Sequence, residues 1–498
     1  MPYEMMGDES STGPDTGPDV LAAVERDTGA DVAALFSALA AEYLAQTRTG
    51  EGRVSTAHTP DEIASRFDEP LPRGGHAIED VVARVRDEVI PDCNRLYHPR
   101  YVGHQVSAPL PAAIWSESVI GALNQSVAVW EMSPVATILE DRVLRWMCDL
   151  VGVGAGAGGT FTSGGTEATF AALLAARSAA IPSVWTDGVG TEPPVIVCGE
   201  HAHYAVTRAA GEMGLGMNSV VVIPSRDWRM DVDALRATLD ALATDGRLVM
   251  AVVATAGSTA TGSFDDLDAI ASICDARGLW FHVDGAHGAT ALLSSRDRER
   301  VRGIERARSL AWDPHKMMLM PLSAGVVLVR DERDLEGAFA QRAPYLFHGP
   351  AGERIWDQGT RSFQCSRRAD VLKVWIALQR YGADGIGALY GHLCDRARTM
   401  HALLDARDDL VALHEPECNI LCFRYVGDDT LDEERLDALN RELRERYNRS
   451  GDGWITTTVL GGRRVLRVTI MNPRTTDADL TAIVEGVGRL GRELEQNA

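Results

Sequence analysis

Residues 248–288 read LVMAVVATAGSTATGSFDDLDAIASICDARGLWFHVDGAHG. LVMAVVATA is a short valine-rich apolar run, DLDAIASICDARG has the spacing of a helix, and LWFHVDGA is a second apolar run that ends in a carboxylate. Apolar runs of this length, bounded by turn residues, predict strands buried on both faces. Two such strands joined by a helix make a parallel pair, since an antiparallel return needs only a tight turn. The same alternation extends along the chain: Pro194–Cys198 precedes the helical HYAVTRAAGEMG, SVVVIP precedes DVDALRATLDALATD, and GVVLVR is a further strand. The middle of the chain is therefore expected to be α/β, a mostly parallel sheet covered by helices on both faces. Chemistry in such folds sits in loops at the carboxyl ends of the strands.

Outward from this centre the pattern changes. Residues 1–18 are rich in Gly, Pro, Ser, Thr and Asp and are expected to be disordered. Residues 19–100 read as a helical segment, with DVAALFSALAAEYLAQT and HAIEDVVARVRDEVI. The large domain is expected over 101–382. From 383 to 498, helices mix with amphipathic strands such as NILCFRYV and RRVLRVTIM, which predicts a small α+β domain.

The chain has 498 residues, 45% of them hydrophobic and 24% charged, and a formal charge of −22. That is ample for a core, and it argues against nucleic acid or an anionic membrane as partner, because both select clustered cations. Eight scattered cysteines without CxxC pairs read as reduced, mostly buried small side chains. MPYEMMGDESSTGPDTGPD lacks the basic and apolar regions of a secretory signal, and no uninterrupted apolar run approaches the roughly 18 residues that span a bilayer. The expectation is a cytoplasmic protein. Of 49 basic residues only Lys316 and Lys373 are lysines. Arginine cannot form an imine with an aldehyde, so a retained primary amine in Trp312-Asp313-Pro314-His315-Lys316 is a candidate nucleophile.

Three further motifs fall at strand ends or helix starts. Thr162-Ser163-Gly164-Gly165-Thr166-Glu167 runs into the helix ATFAALLAARSA. It is either a Gly-rich turn with Thr166 as N-cap, or an anion cup at a helix N-terminus. Asp284 ends a buried strand, where it either caps the next turn or meets a buried cation. His203 stands in Glu200-His201-Ala202-His203-Tyr204 at the start of a helix; no ligand pattern for a metal completes that pair of histidines. No GxGxxG follows the first strands, and no Walker loop or serine elbow offers another cofactor or nucleophile. Together the lysine, acid, flat ring and anion cup are the parts that a pyridoxal phosphate site requires.

The chain resembles the group II pyridoxal-phosphate decarboxylases of fold type I, closest to the glutamate and cysteine sulfinate branch. The resemblance is carried by HPRYVGHQVS, FTSGGTEATFAALLAAR, ATAGSTATGSFDDLDAI, LWFHVDGAHG, WDPHKMM, DQGTRSFQCSRRADVLKVW and LRVTIMNP, from about His98 to the C-terminus. It implies that Lys316 binds the cofactor aldehyde, Asp284 pairs with the ring nitrogen, Ala286 and His203 flank the ring, and Thr255 lies beside it. Gly165 and Thr166 would hold the phosphate with His315 nearby, Arg467 would face the substrate carboxylate, and Gln105 would line the substrate pocket. Tyr345, in a Gly/Pro-punctuated segment read as a lid over 331–359, would protonate the α-carbon. A homodimer is implied, and the expected reaction is α-decarboxylation of an L-amino acid. The substrate is first expected to be acidic: aspartate, glutamate or cysteine sulfinate. An aminotransferase, or a decarboxylating amine- or aldehyde-forming enzyme acting on a diamino or aromatic amino acid, is the alternative. Lys373, inside a helix, reads as a structural residue that snorkels to the surface. Three positions depart from the glutamate branch: Asp313 replaces asparagine, His287 a large aromatic, and His104 an asparagine.

Overall fold

The computed structural model describes residues 17–339, 356–427 and 431–496. The strands are β1 (Gly158–Thr162), β2 (Val195–Gly199), β3 (Val220–Ile223), β4 (Ser225–Arg226), β5 (Arg229–Met230), β6 (Val249–Thr255) and β7 (Trp280–Asp284). They continue with β8 (Ser309–Trp312), β9 (Gly325–Val329), β10 (Leu410–Ala412), β11 (Ile420–Tyr425), β12 (Thr456–Leu460) and β13 (Arg463–Thr469). The central sheet has seven strands in the order β1-β9-β8-β7-β6-β2-β3. All run parallel except β9, which is antiparallel to both of its neighbours. This is the α/β architecture read from the alternation of strands and helices.

Strands β2, β6, β7, β8 and β9 contribute the near-continuous apolar runs that a doubly covered sheet requires. One core face packs Val252, Ala254, Phe281, Val283 and Leu310 against Ile270, Cys274 and the helix Pro134–Val151. The other packs Ile196, Cys198, Ala251, Val253 and Val327 against the alanine-rich helix Gly165–Ala180. Alanine there lets the helix lie close to the sheet, so its N-terminus opens at the carboxyl ends of the strands. A four-stranded antiparallel sheet, β10-β11-β13-β12, forms the small C-terminal unit with the helices Glu433–Ser450 and Asp477–Gln496.

Two readings of single residues need correction. Thr166 is not an N-cap: the helix is capped at Gly164 with no side-chain bond, and Thr166 lies in the first turn. Lys373 does not snorkel. It is fully buried, with Nζ 3.0 Å from the Ser323 carbonyl oxygen, 2.7 Å from Glu117 and 2.9 Å from Asp370. Two carboxylates and a carbonyl make an inside position tolerable for an ammonium that apolar neighbours alone would have pushed outward.

Candidate active site

The register of the sheet assembles the site. Thr255 pairs with Asp284, and Asp284 with Ala311, so the ends of β6, β7 and β8 lie side by side. The turn after β1 and the loop after β2 open at the same edge. A cavity of about 380 Å³ sits there, lined by Gln105, Gly165, Thr166, His203, Thr255 and Asp284. Ala286, His287, Asp313, His315 and Lys316 complete the part of its wall that bears on the chemistry. Eleven residues singled out in the sequence, from segments between 105 and 316, thus meet in one cavity.

Each is held by an identifiable contact. Asp284 is buried and accepts a hydrogen bond from the Ala286 N–H at 3.2 Å, so it caps its turn and still borders the cavity. Lys316 Nζ lies 3.1 Å from Asp313 Oδ2. His315 Nδ1 accepts from the Ala324 N–H at 3.0 Å, which leaves the proton of the neutral ring on Nε2, 3.5 Å from Asp313. Burial pushes the pKa of both His203 and His315 down, against the opposing pull of nearby aspartates. His287 is buried and its pKa is pushed down to about 3 by burial, with the Lys316 and Arg467 cations adding to the effect.

The turn after β1 is shaped for an anion. A Cβ on Gly165 would fall 2.8 Å from Ala286 Cβ and 2.9 Å from Asp313 Oδ2, so the backbone must stay bare there. The first-turn N–H groups of the helix have no intrahelical partner and point toward the cavity end. Across the sheet edge, Gly257 has φ of +82°, and a Cβ there would meet the Gly288 backbone at 3.0 Å.

Arg467 lies on β13, opposite Cys422 and Thr456, and is buried. Its Nη1 reaches Thr456 Oγ1 only at 3.4 Å, while Nε and Nη2 have no hydrogen-bond partner among the described residues. It does not line the cavity wall, although its charge is felt at His287 and His104. Tyr345 lies outside the described residues.

A family model described as the pyridoxal-dependent decarboxylase conserved domain matches residues 60–426. The chain belongs to the pyridoxal-dependent decarboxylase family. Among its relatives is the L-2,4-diaminobutyrate decarboxylase of Rhizobium meliloti (strain 1021), 35% identical over 434 residues, covering 86% of this chain and 85% of that protein. The cysteine sulfinic acid decarboxylase of Homo sapiens is 30% identical over 473 residues, covering 93% and 96%. The crystal structure of mouse CSAD superposes with a TM-score of 0.87 at 28% identity, covering 96% and 99% of the two chains.

This decarboxylase uses pyridoxal phosphate, and its residues fit that group: a bare anion turn, a buried acid, a lone cavity lysine and a small residue beside the turn. Three supporting residues escaped the sequence reading. Glu167 Oε2 accepts from the Ser163 N–H, the Ser163 hydroxyl and Gln364, and so pins the anion turn from behind. Glu167 stands at N3 of the helix capped by Gly164, the position from which a capping-box glutamate reaches back, and that was a usable signal. Asp265 accepts from the Thr255 and Met230 N–H groups, both at 2.7 Å, fixing the end of β6; burial pushes its pKa up to about 6. Asn419 receives a bond from His287, which no local pattern announces.

Proposed function

We propose that the enzyme removes the α-carboxylate of a short L-amino acid bearing a second amino group, giving carbon dioxide and a diamine. When bound, pyridoxal phosphate supplies an electron sink conjugated to the substrate amine. Lys316 would hold the cofactor aldehyde between turnovers, and Asp284 would keep the ring nitrogen protonated. Gly165, Thr166 and the His315 Nε2–H would hold the phosphate, while Ala286, His203 and Thr255 would border the ring. Arg467, which lies behind the cavity wall with Nε and Nη2 unpaired among the described residues, is assigned to the substrate carboxylate on the resemblance, and Gln105 meets the substrate from the cavity wall. The carbon–carboxylate bond breaks, carbon dioxide leaves, and a proton is returned to the α-carbon. We assign that last step to Tyr345 on the resemblance alone.

The observation that bears on the side chain is the charge of the wall. Among the described lining residues the charged groups are Asp284, Asp313 and Lys316, and the histidines His203, His287 and His315 all have lowered pKa values. With Lys316 and Asp284 both engaged by the cofactor, Asp313 is the one charged group left on the described wall, so the wall offers a distal carboxylate no cation and a distal ammonium one carboxylate. The 35% identity to the Rhizobium diaminobutyrate decarboxylase supports the same reading. An acidic substrate, first expected from the sequence, is supported by the cysteine sulfinic acid decarboxylases, which match over a larger share of the chain.

A homodimer, with sites at the interface, is proposed as well. Trp115, Val119 and Leu123 on helix Pro111–Leu123, with Trp130, Met132 and Val135 beyond it, expose apolar surface that a second copy would cover. We place the enzyme in the cytoplasm. The deciding experiment is mass spectrometry of products from pooled diamino, acidic and aromatic L-amino acids. A diamine is expected. A product from the acidic members alone would replace the diamino reading, and no carbon dioxide from any member would sink both.

A further inference from the structure

His287 belongs to the large domain, three residues after Asp284, yet its bond goes to the small one. Its Nε2 lies 2.7 Å from Asn419 Oδ1. Asn419 in turn donates from Nδ2 to the Ile470 carbonyl at 2.9 Å, and the Ile470 N–H donates back to the Asn419 carbonyl at 2.9 Å. Since Nδ2 is spent on a carbonyl, Oδ1 is what faces the imidazole, and Nε2 must carry the proton. The other ring nitrogen, Nδ1, is buried without a partner. A side chain kept only for packing would avoid an unmatched buried acceptor, and an aromatic hydrocarbon ring at this position would have none. What the imidazole adds over such a ring is the Nε2–H.

The bond has a direction. Asn419 sits just before β11 and Ile470 just after β13, two strands paired Ile420 to Thr469 and Cys422 to Arg467. Arg467 is therefore three residues from the carbonyl that orients Asn419. On the other side, Asp284 and Ala286 share the turn that carries His287. Two weaker ties run parallel to this path: Cys418 Sγ donates to the Gly262 carbonyl at 3.4 Å and Cys422 Sγ to the Ala260 carbonyl at 3.1 Å.

We propose that His287 is a positioning residue, which through Asn419 sets where the small sheet holds Arg467 relative to the turn of Asp284. The proposal rests on the reading that Arg467 meets the substrate carboxylate. Because the ring stays neutral with its pKa near 3, the clasp holds across the whole neutral range. Displacing Arg467 weakens ligands that own a carboxylate and spares those that lack one.

The test uses the holoenzyme and follows the cofactor absorption band as an L-amino acid, or the amine derived from it, is titrated in. Arg467→Gln is expected to weaken the amino acid about tenfold and leave the amine within about twofold. His287→Phe should copy that split, and His287→Gln, which restores an N–H donor toward Asn419, should recover most of the loss. In the cofactor-free protein, His287→Phe and Asn419→Ala should shift the unfolding midpoint non-additively. If Arg467→Gln leaves amino-acid binding unchanged, the carboxylate reading fails and the proposal with it. If Arg467→Gln gives the split and His287→Phe weakens both ligands alike, or neither, the reading stands and the clasp is overturned.

Discussion

Asp313 Oδ2 stands 3.1 Å from Lys316 Nζ while its Oδ1 is buried without a hydrogen-bond partner. The same carboxylate oxygen lies 2.9 Å from where a Cβ on Gly165 would be, so a buried anion borders the anion turn. Two like charges at one site repel strongly when water is excluded. Asp313→Asn keeps the shape and removes the charge. It is expected to tighten pyridoxal phosphate several-fold in the cofactor-free protein, by calorimetry, and to leave phosphate-free pyridoxal unchanged. Equal effects on both ligands would show that Asp313 acts through Lys316 alone.

The two lysines separate chemistry from stability. Lys316→Arg keeps the charge opposite Asp313 but has no amine for the aldehyde. After borohydride treatment and mass spectrometry it should carry no covalently trapped cofactor, with unfolding close to wild type. Lys373→Met should do the reverse, trapping cofactor on Lys316 when folded but losing roughly 2–3 kcal/mol of stability, because buried Asp370 is left with only Arg368 at 3.4 Å and half-buried Glu117 loses one of its two cationic partners. Cofactor found on Lys373 would contradict the assignment.

How much of this was legible depended on the range of the interaction. The strand–helix alternation at 248–288 and the residues at strand ends are local, and parallel topology alone brings Thr255, Asp284 and the loop of Lys316 together. Lys373 was misread because two of its three partners, Glu117 and Ser323, lie on another helix and on a loop, while Asp370, three residues before it, was a local signal left unused. Periodicity reports only that a position faces inward; it cannot report a carboxylate waiting there. Asn419 escaped for the same reason, being paired across domains with His287. Thr166 looked like a cap because threonine commonly is one, but the helix begins at Gly165 with Gly164 at the cap position, so Thr166 falls in the first turn.

Gly165 offers a direct test of the anion turn. Gly165→Ala places a methyl within 3 Å of both Ala286 Cβ and Asp313 Oδ2, so either the turn or its neighbours must shift. The phosphate contacts should suffer before the fold does. Pyridoxal phosphate affinity is expected to fall about tenfold, roughly 1.4 kcal/mol, while pyridoxal binds as before. An unchanged affinity for the phosphorylated cofactor would move the phosphate site elsewhere.

Surface charge predicts a dependence on salt. With 71 acidic and 49 basic residues the folded chain repels itself, and added ions screen that repulsion within a Debye length of about 8 Å at physiological strength. Raising potassium chloride toward molar concentration should raise the unfolding temperature by several degrees. Neutralising a few exposed acids to amides, away from ion pairs, should reduce that gain. A flat or falling response would mean that lost ion pairs outweigh the relief.

Buried histidines set the acid limit of the fold. Burial pushes His98 and His282 down to about 4 and His287 to about 3, against about 6.5 when unfolded. Their folded pKa values are depressed, so the unfolded chain binds more protons as pH falls. The stability is present above pH 6.5 and is lost progressively toward pH 4. Each ring contributes on the order of 3 kcal/mol over that window. Asp265 works in the opposite sense, since burial raises it to about 6 and its folded form gains protons first, but one acid does not offset three rings. The denaturant midpoint should therefore fall steadily from pH 7 to pH 4.5. His282→Gln, which loses its ring opposite Ser309, should start lower at pH 7 and fall less steeply. Equal slopes for the two proteins would show that His282 is not among the groups that take up protons on unfolding.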